Sequence, residues 1–212
     1  MPHRVLYHFI SIFQGNRPLV SADLPVSLCP GFARSFLHKG WPADEGFAIS
    51  MTRLYTPRME YPLDKLIEQE NALQFDSFDE DDAWRLGCAF VEKAQAGKLG
   101  ITIDISTKDK VLFHCNRKGT NPDNEHWVVR KKNAVNRFGH SSWYVGQKLR
   151  ELKLTLEQKY MVSESEYAAH GGSFPLAVRG VGIIGTVTVS GLTQEEDHAL
   201  VVEVLAAFLR KN

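Results

Sequence analysis

From residue 62 to the C-terminus the sequence alternates capped helical stretches with two pairs of short strands, each pair joined across a tight turn. That order excludes most architectures, because strands linked by a few residues pair antiparallel, whereas a parallel pair needs a crossover of a dozen residues or more. ITIDIS at 101–106 alternates apolar and polar residues, and VLFHC at 111–115 follows across TKDK. Strands at 174–178 and 182–189 pair in the same way across Arg179-Gly180. Helices are expected over 62–72, from the acid-rich SFDEDDA to Gly97, over 122–138, over 141–151 and from Thr193 to the end, with helical turns at 155–161 and 163–169 and a short strand at 73–76. Ser77 with Glu80, and Thr193 with Glu196, have capping-box spacing. Ala83, Leu86, Phe90, Val91 and Ala94 form one apolar stripe, and Val201, Val204, Leu205 and Phe208 another. The fold class is therefore α+β, a mainly antiparallel sheet flanked by helices.

Residues 1–58 read differently. They hold six of the nine prolines, show no sustained helical or strand period, and are expected to be an irregular extension to a single domain spanning 59–212. Met51 or Met59 is a candidate true start, which the intact mass of the native protein would test. Charge is +3 over 1–58 and −3 over the remainder, so neither part makes an electrostatic case for nucleic acid or an anionic membrane. Three cysteines without CxxC spacing suit a reducing compartment, and no apolar run is long enough to span a bilayer. A cytoplasmic location is expected.

Several words are dense enough to carry a resemblance: LQFDSFDEDDA at 73, NAVNRFGHSSWYVG at 133, YAAHGGSFP at 167 and GVGIIGTVTVSGLTQEEDHALVVE at 180. Over about residues 63–208 they resemble a family of small bacterial and fungal proteins grouped with the haem-degrading-domain, or GlcG-like, superfamily. The resemblance implies a sheet flanked by helices, a cytosolic homo-oligomer, and haem as a possible cofactor, with no established reaction.

The residues offer several candidate sites. His126, Arg130, Asn133, Arg137 and His140 recur at spacings of 4, 3, 4 and 3, which places them on one helix face. They read either as an anion pocket for a carboxylate, a phosphate or haem propionates, or as a solvated face or subunit contact. Trp127, Lys131, Ala134 and Phe138, with Val128 and Val135, lie on the side expected to be buried.

Ser141 or Ser142 is expected to cap the following helix, and Trp143 stands where a hydrolase elbow needs glycine. In His170-Gly171-Gly172-Ser173 the glycines allow close backbone approach, and the histidine could ligate iron, move a proton or hold a loop carbonyl. Gly180, Gly182 and Gly185 spell a dinucleotide motif but lead into a strand rather than a helix. Thr186, Thr188 and Ser190 form a hydroxyl row that reads as a pocket wall or as the wet side of a strand. His114, Cys115 and His198 complete no zinc spacing, so no metal site is expected.

The preferred reading is a protein that binds a small anionic ligand, haem among the candidates, through Arg130, Asn133, Arg137, His140, Ser141, His170, Gly171, Gly172 and Ser173. The alternative is an oligomeric interaction or scaffold protein without catalysis. A third reading is a hydrolase or isomerase using His140 or His170 with Asp104 or Asp197.

Overall fold

A computed structural model describes residues 62–210 with their side chains and, nearer the N-terminus, the backbone of residues 8–13 and 18–24. The chain divides into two units, Met1–Pro57 and Arg58–Asn212. In the first, strand β1 (His8–Phe13) pairs antiparallel with β2 (Pro18–Leu24), the register shifting between Ser11 and Phe13. These two segments are strands within the stretch expected to be irregular. Pro18 is the first residue of its strand, the place in a sheet where a missing N–H costs least. The proposed start sites Met51 and Met59 lie outside the described residues.

The second unit runs α1 (Leu63–Ala72), α2 (Glu80–Gly97), β3 (Thr102–Thr107), β4 (Val111–Asn116), α3 (Pro122–Phe138), α4 (Ser142–Leu152), α5 (Leu156–Tyr160), β5 (Ser173–Val178), β6 (Gly182–Ser190) and α6 (Gln194–Leu209). Its four-stranded antiparallel sheet has the order β4-β3-β6-β5. The strand expected at 73–76 shrinks to one parallel bridge, Phe75 to Val178, because Phe75 reaches only the end of β5. Residues 163–169 hold a turn and no helix. The cap of α2 lies two residues later than expected: Asp79 accepts from the Asp82 amide at 2.8 Å and Asp82 closes the box, while Ser77 stays outside the helix.

Period two divides the strands into two unlike faces. Ile103, Ile105, Phe174, Leu176, Val187 and Val189 pack against Leu86 and Phe90 of α2 and Val201 and Leu205 of α6. Each such side chain contributes about 1.5–3 kcal/mol on burial. The other face carries Thr102, Asp104, Ser106, Ser173, Thr186, Thr188 and Ser190, all buried. The hydroxyl row is therefore an interior wall and not the wet side of a strand, because α3 lies across it. Lys132 of α3 donates to Asp104 at 3.0 Å and to Ser106 at 3.1 Å, and Ser173 shares a 2.8 Å hydrogen bond with Thr188. A smaller core joins Leu66 of α1 to Trp143, Val145 and Leu149 of α4 and to Leu156. Among the described residues no helix is long and apolar enough to cross a membrane.

Candidate functional site

Helix α3 is sharply bounded, which fixes the direction of its side chains. Asn121 and Asn124 form a capping box, Pro122 occupies the first turn, and Gly139 ends the helix at φ 69°. Val128, Lys131, Ala134 and Val135 face the sheet. On the flank stand Trp127 and Arg130, the guanidinium carbon of Arg130 lying 4.5 Å from the Trp127 ring centroid. The segment 163–172 is tied along this flank: the Ala168 amide donates to the Arg130 carbonyl at 2.9 Å, and Asn133 donates through Nδ2 to the Glu166 carbonyl at 2.9 Å. His170 then meets Trp127 edge to face, with ring centroids 5.1 Å apart.

Helix α4 closes the other side. Ser141 caps it, accepting from the Tyr144 amide at 3.2 Å, and Gly146 lets it approach the loop so closely that a Cβ there would stand 2.2 Å from the Ala169 carbonyl oxygen. This approach brings in Arg150, whose Nε donates to Gln147 at 3.1 Å and whose guanidinium carbon lies 4.6 Å from the buried Trp143 ring.

Two small cavities result, with His170 in the wall of both. The first, about 190 Å³, is lined by Arg130, Gly146, Leu149, Arg150, Tyr167 and His170, with Glu164 also in its wall. Arg130 Nε is shielded from solvent there without a hydrogen-bond partner. The second, about 210 Å³, is lined among others by Trp127, Lys131, His170, Ser190, Gly191 and Asp197. Lys131 donates to Asp197 at 2.7 Å and to the Val189 carbonyl at 3.2 Å. Burial pushes the Lys131 ammonium down and the Asp197 carboxyl up, each opposed by the partner's charge. Desolvation, followed by the charges of Lys131, Arg130 and Arg150, holds the His170 imidazole below its usual value. Its surroundings are therefore electropositive.

The residues singled out in the sequence are distributed over several places. Arg130 and His170 meet at the first cavity. His126, Arg130 and Asn133 line an adjoining open cleft of about 660 Å³ with Glu164, Glu166 and Tyr167. Arg137 is exposed and lies over Tyr167 at 5.6 Å. His140 is bound to Glu70 of α1 at 2.7 Å and stacks on Tyr144, so it faces away from the cavities at His170. Gly171 and Gly172 serve close approach: a Cβ would stand 2.0 Å from the Gln194 oxygen or 2.3 Å from the Val189 oxygen, respectively. Ser173 is buried, its amide donating to Ser142 Oγ at 3.0 Å.

Neither serine at 141–142 is a free nucleophile. Asp104 pairs with His114 at 3.1 Å and with Lys132, whereas Asp197 shares a cavity with His170. Sequence reasoning missed Arg150 and the role of Lys131. A lysine within the apolar stripe of α3 was the available signal for the second, and nothing in the local spacing pointed to the first.

The sequence pattern of the family described as "Haem degrading protein HbpS-like" matches residues 78–206. A UPF0303 protein of Streptomyces coelicolor is 47% identical over 145 residues, covering 68% of this chain and 92% of that protein. The crystal structure of the Ybr137w protein superposes with a TM-score of 0.68 at 34% identity, covering 77% of this chain and 95% of that one. A PduOC:heme complex shares the fold, with a TM-score of 0.54 at 17% identity over 62% of this chain and 94% of that one.

Proposed function

We propose, from the premise that this chain belongs to the HbpS-like haem-degrading protein family, that it binds a small carboxylate-bearing ligand in the cavity beside His170. The observation carrying this reading is the pair of guanidinium groups, Arg130 and Arg150, in the wall of one cavity with His170. A carboxylate entering the cavity would meet both guanidinium groups. Arginine offers planar, paired donors to such a group.

The family label and the heme complex of the PduOC neighbour make haem one candidate. The residues at His170 fit its carboxylates and not its ring. Both cavities are smaller than the roughly 300–1,000 Å³ of drug-sized sites. The adjoining cleft is larger, but its lining includes Glu164 and Glu166 and little apolar surface beyond Val129 and Tyr167. The ligand that fits best is therefore a short carboxylate.

Calorimetric titration with malonate, beside a haem titration followed by Soret absorbance, tests the reading. Arg130→Ala/Arg150→Ala should weaken malonate binding about 100-fold, since a charged hydrogen bond is worth about 1.5–3 kcal/mol. Unchanged affinity in a folded double variant would sink the proposal. A saturable Soret shift that survives the substitutions would place haem elsewhere.

A second reading, an oligomeric interaction module in the cytosol, is favoured by one observation. Trp84 is 64% exposed beside a groove of about 590 Å³ between α2 and α6, floored by Cys88, Ala89, Val204, Ala207 and Phe208. Trp84→Glu should then lower the mass measured by light scattering on a size-exclusion column, and an unchanged mass would count against this reading.

A further inference from the structure

The cavity of about 210 Å³ contains a group that carboxylate binding does not require. Lys131 is the one lysine buried among the described residues, 3% exposed. Asp197 and the Val189 carbonyl accept two of its three N–H bonds. The backbone packs closely against the amine: Gly172 sits at φ 122°, and a Cβ there would stand 2.8 Å from Lys131 Nζ. Trp127, His170 and Ser190 complete the wall around it. His170 is common to this cavity and to the one holding Arg130 and Arg150.

We propose that Lys131 is a nucleophile that condenses with the carbonyl of a small 2-oxo acid, an assignment that rests on the carboxylate site at Arg130 and Arg150. The balance is that of imine formation. The Lys131 ammonium passes one proton to the Asp197 carboxylate 2.7 Å away. The nitrogen lone pair attacks the carbonyl carbon, the C–N bond forms, and the π pair moves to oxygen, which takes one of the two protons of the attacking nitrogen. The carbinolamine then loses its hydroxyl as water, with a proton returned by the Asp197 carboxylic acid, so that ammonium and ketone become a protonated imine, beside the Asp197 carboxylate, and water. Burial works in the direction the first step needs, lowering the basicity of Lys131 and raising that of Asp197. Desolvation first, then the neighbouring cations, holds His170 neutral beside the pair.

Incubating the full-length protein with pyruvate and cyanoborohydride, then mapping the adduct by peptide mass spectrometry, tests the assignment. One reduced adduct is expected at Lys131, formed at least about tenfold faster than at exposed lysines because the amine is more often neutral. Malonate should block it. Absence of label at Lys131 in the folded protein, or label only at exposed lysines such as Lys65 and Lys153, would show that the pair merely clamps α3 to α6 and would overturn the proposal. The two readings fail separately. Malonate binding without an adduct removes only the lysine chemistry, whereas an adduct at Lys131 that malonate does not block and that persists in Arg130→Ala/Arg150→Ala removes the carboxylate site and leaves Lys131 as the nucleophile.

Discussion

Asp197→Ala should destabilise the protein by about 3–5 kcal/mol, the cost of leaving a buried charge without its partner. Lys131 and Asp197 are both almost fully buried and stand 2.7 Å apart, joining α3 to the first turn of α6 across the end of β6. Asp197 also accepts from the Leu192 amide at 3.1 Å, which fixes the chain where it enters α6. Removing the carboxylate leaves an ammonium in the interior and a backbone donor unsatisfied. Urea unfolding monitored by circular dichroism would show the lowered midpoint. Lys131→Met/Asp197→Leu should recover most of the loss, because the ionic pair is itself costly to bury and an apolar pair of similar volume removes both charges together. A double variant as unstable as Asp197→Ala would mean that packing, not the stranded charge, causes the damage.

Gly172→Ala is expected to be comparably harmful, with a loss above about 3 kcal/mol from backbone strain and overlap together. The residue lies at φ 122°, where side chains are disfavoured, and the added Cβ would stand 2.3 Å from the Val189 carbonyl oxygen. That oxygen is held in place, since the Val189 amide donates to the Gly172 carbonyl at 2.7 Å and Lys131 donates to the Val189 carbonyl. The clash cannot relax without opening β6 from the loop. Gly180→Ala is the matched control: φ is 75° and nothing lies within 4 Å of the added atom, so only the left-handed penalty of about 1–2 kcal/mol should appear. Equal losses at the two positions would refute the close-approach account of the paired glycines.

Both positions belong to words that stand out in the sequence, and the physical reason is the same for each. A short-range pattern is readable when the force behind it is local. The helices over 63–72, 122–138, 142–152 and 194–209 and both hairpins of the four-stranded sheet follow from caps, turn residues and hydrophobic period. Thr193 with Glu196 caps α6 as its spacing implies. At the start of α2, spacing pointed to Ser77 and the backbone caps at Asp79, because a cap depends on where the chain enters the helix. The hairpin β1–β2 escaped because prolines suppressed a strand reading in a region where the decisive interaction is the pairing itself.

The candidate site was legible only in fragments. Arg130 and His170 stood out by residue type and context, and the structure places both in the wall of one cavity. Arg137 and His140 shared the helical stripe with Arg130 yet turn elsewhere, one over Tyr167 and the other onto Glu70. A stripe fixes angles around a helix axis, not what covers each stretch of it.

The sequence by itself determined the main helices and the four strands of the larger sheet, their order, the antiparallel pairing within each of that sheet's hairpins and the two-faced character of its strands, since each follows from interactions between residues near one another in the chain. Only the tertiary structure decided that α3 lies across the hydroxyl face and makes it interior, that Lys131 finds Asp197 66 residues away, and that Arg150 joins Arg130 at His170. Those outcomes depend on how helices pack over the sheet, a balance of burial and charge pairing summed over the whole domain, which no local spacing encodes.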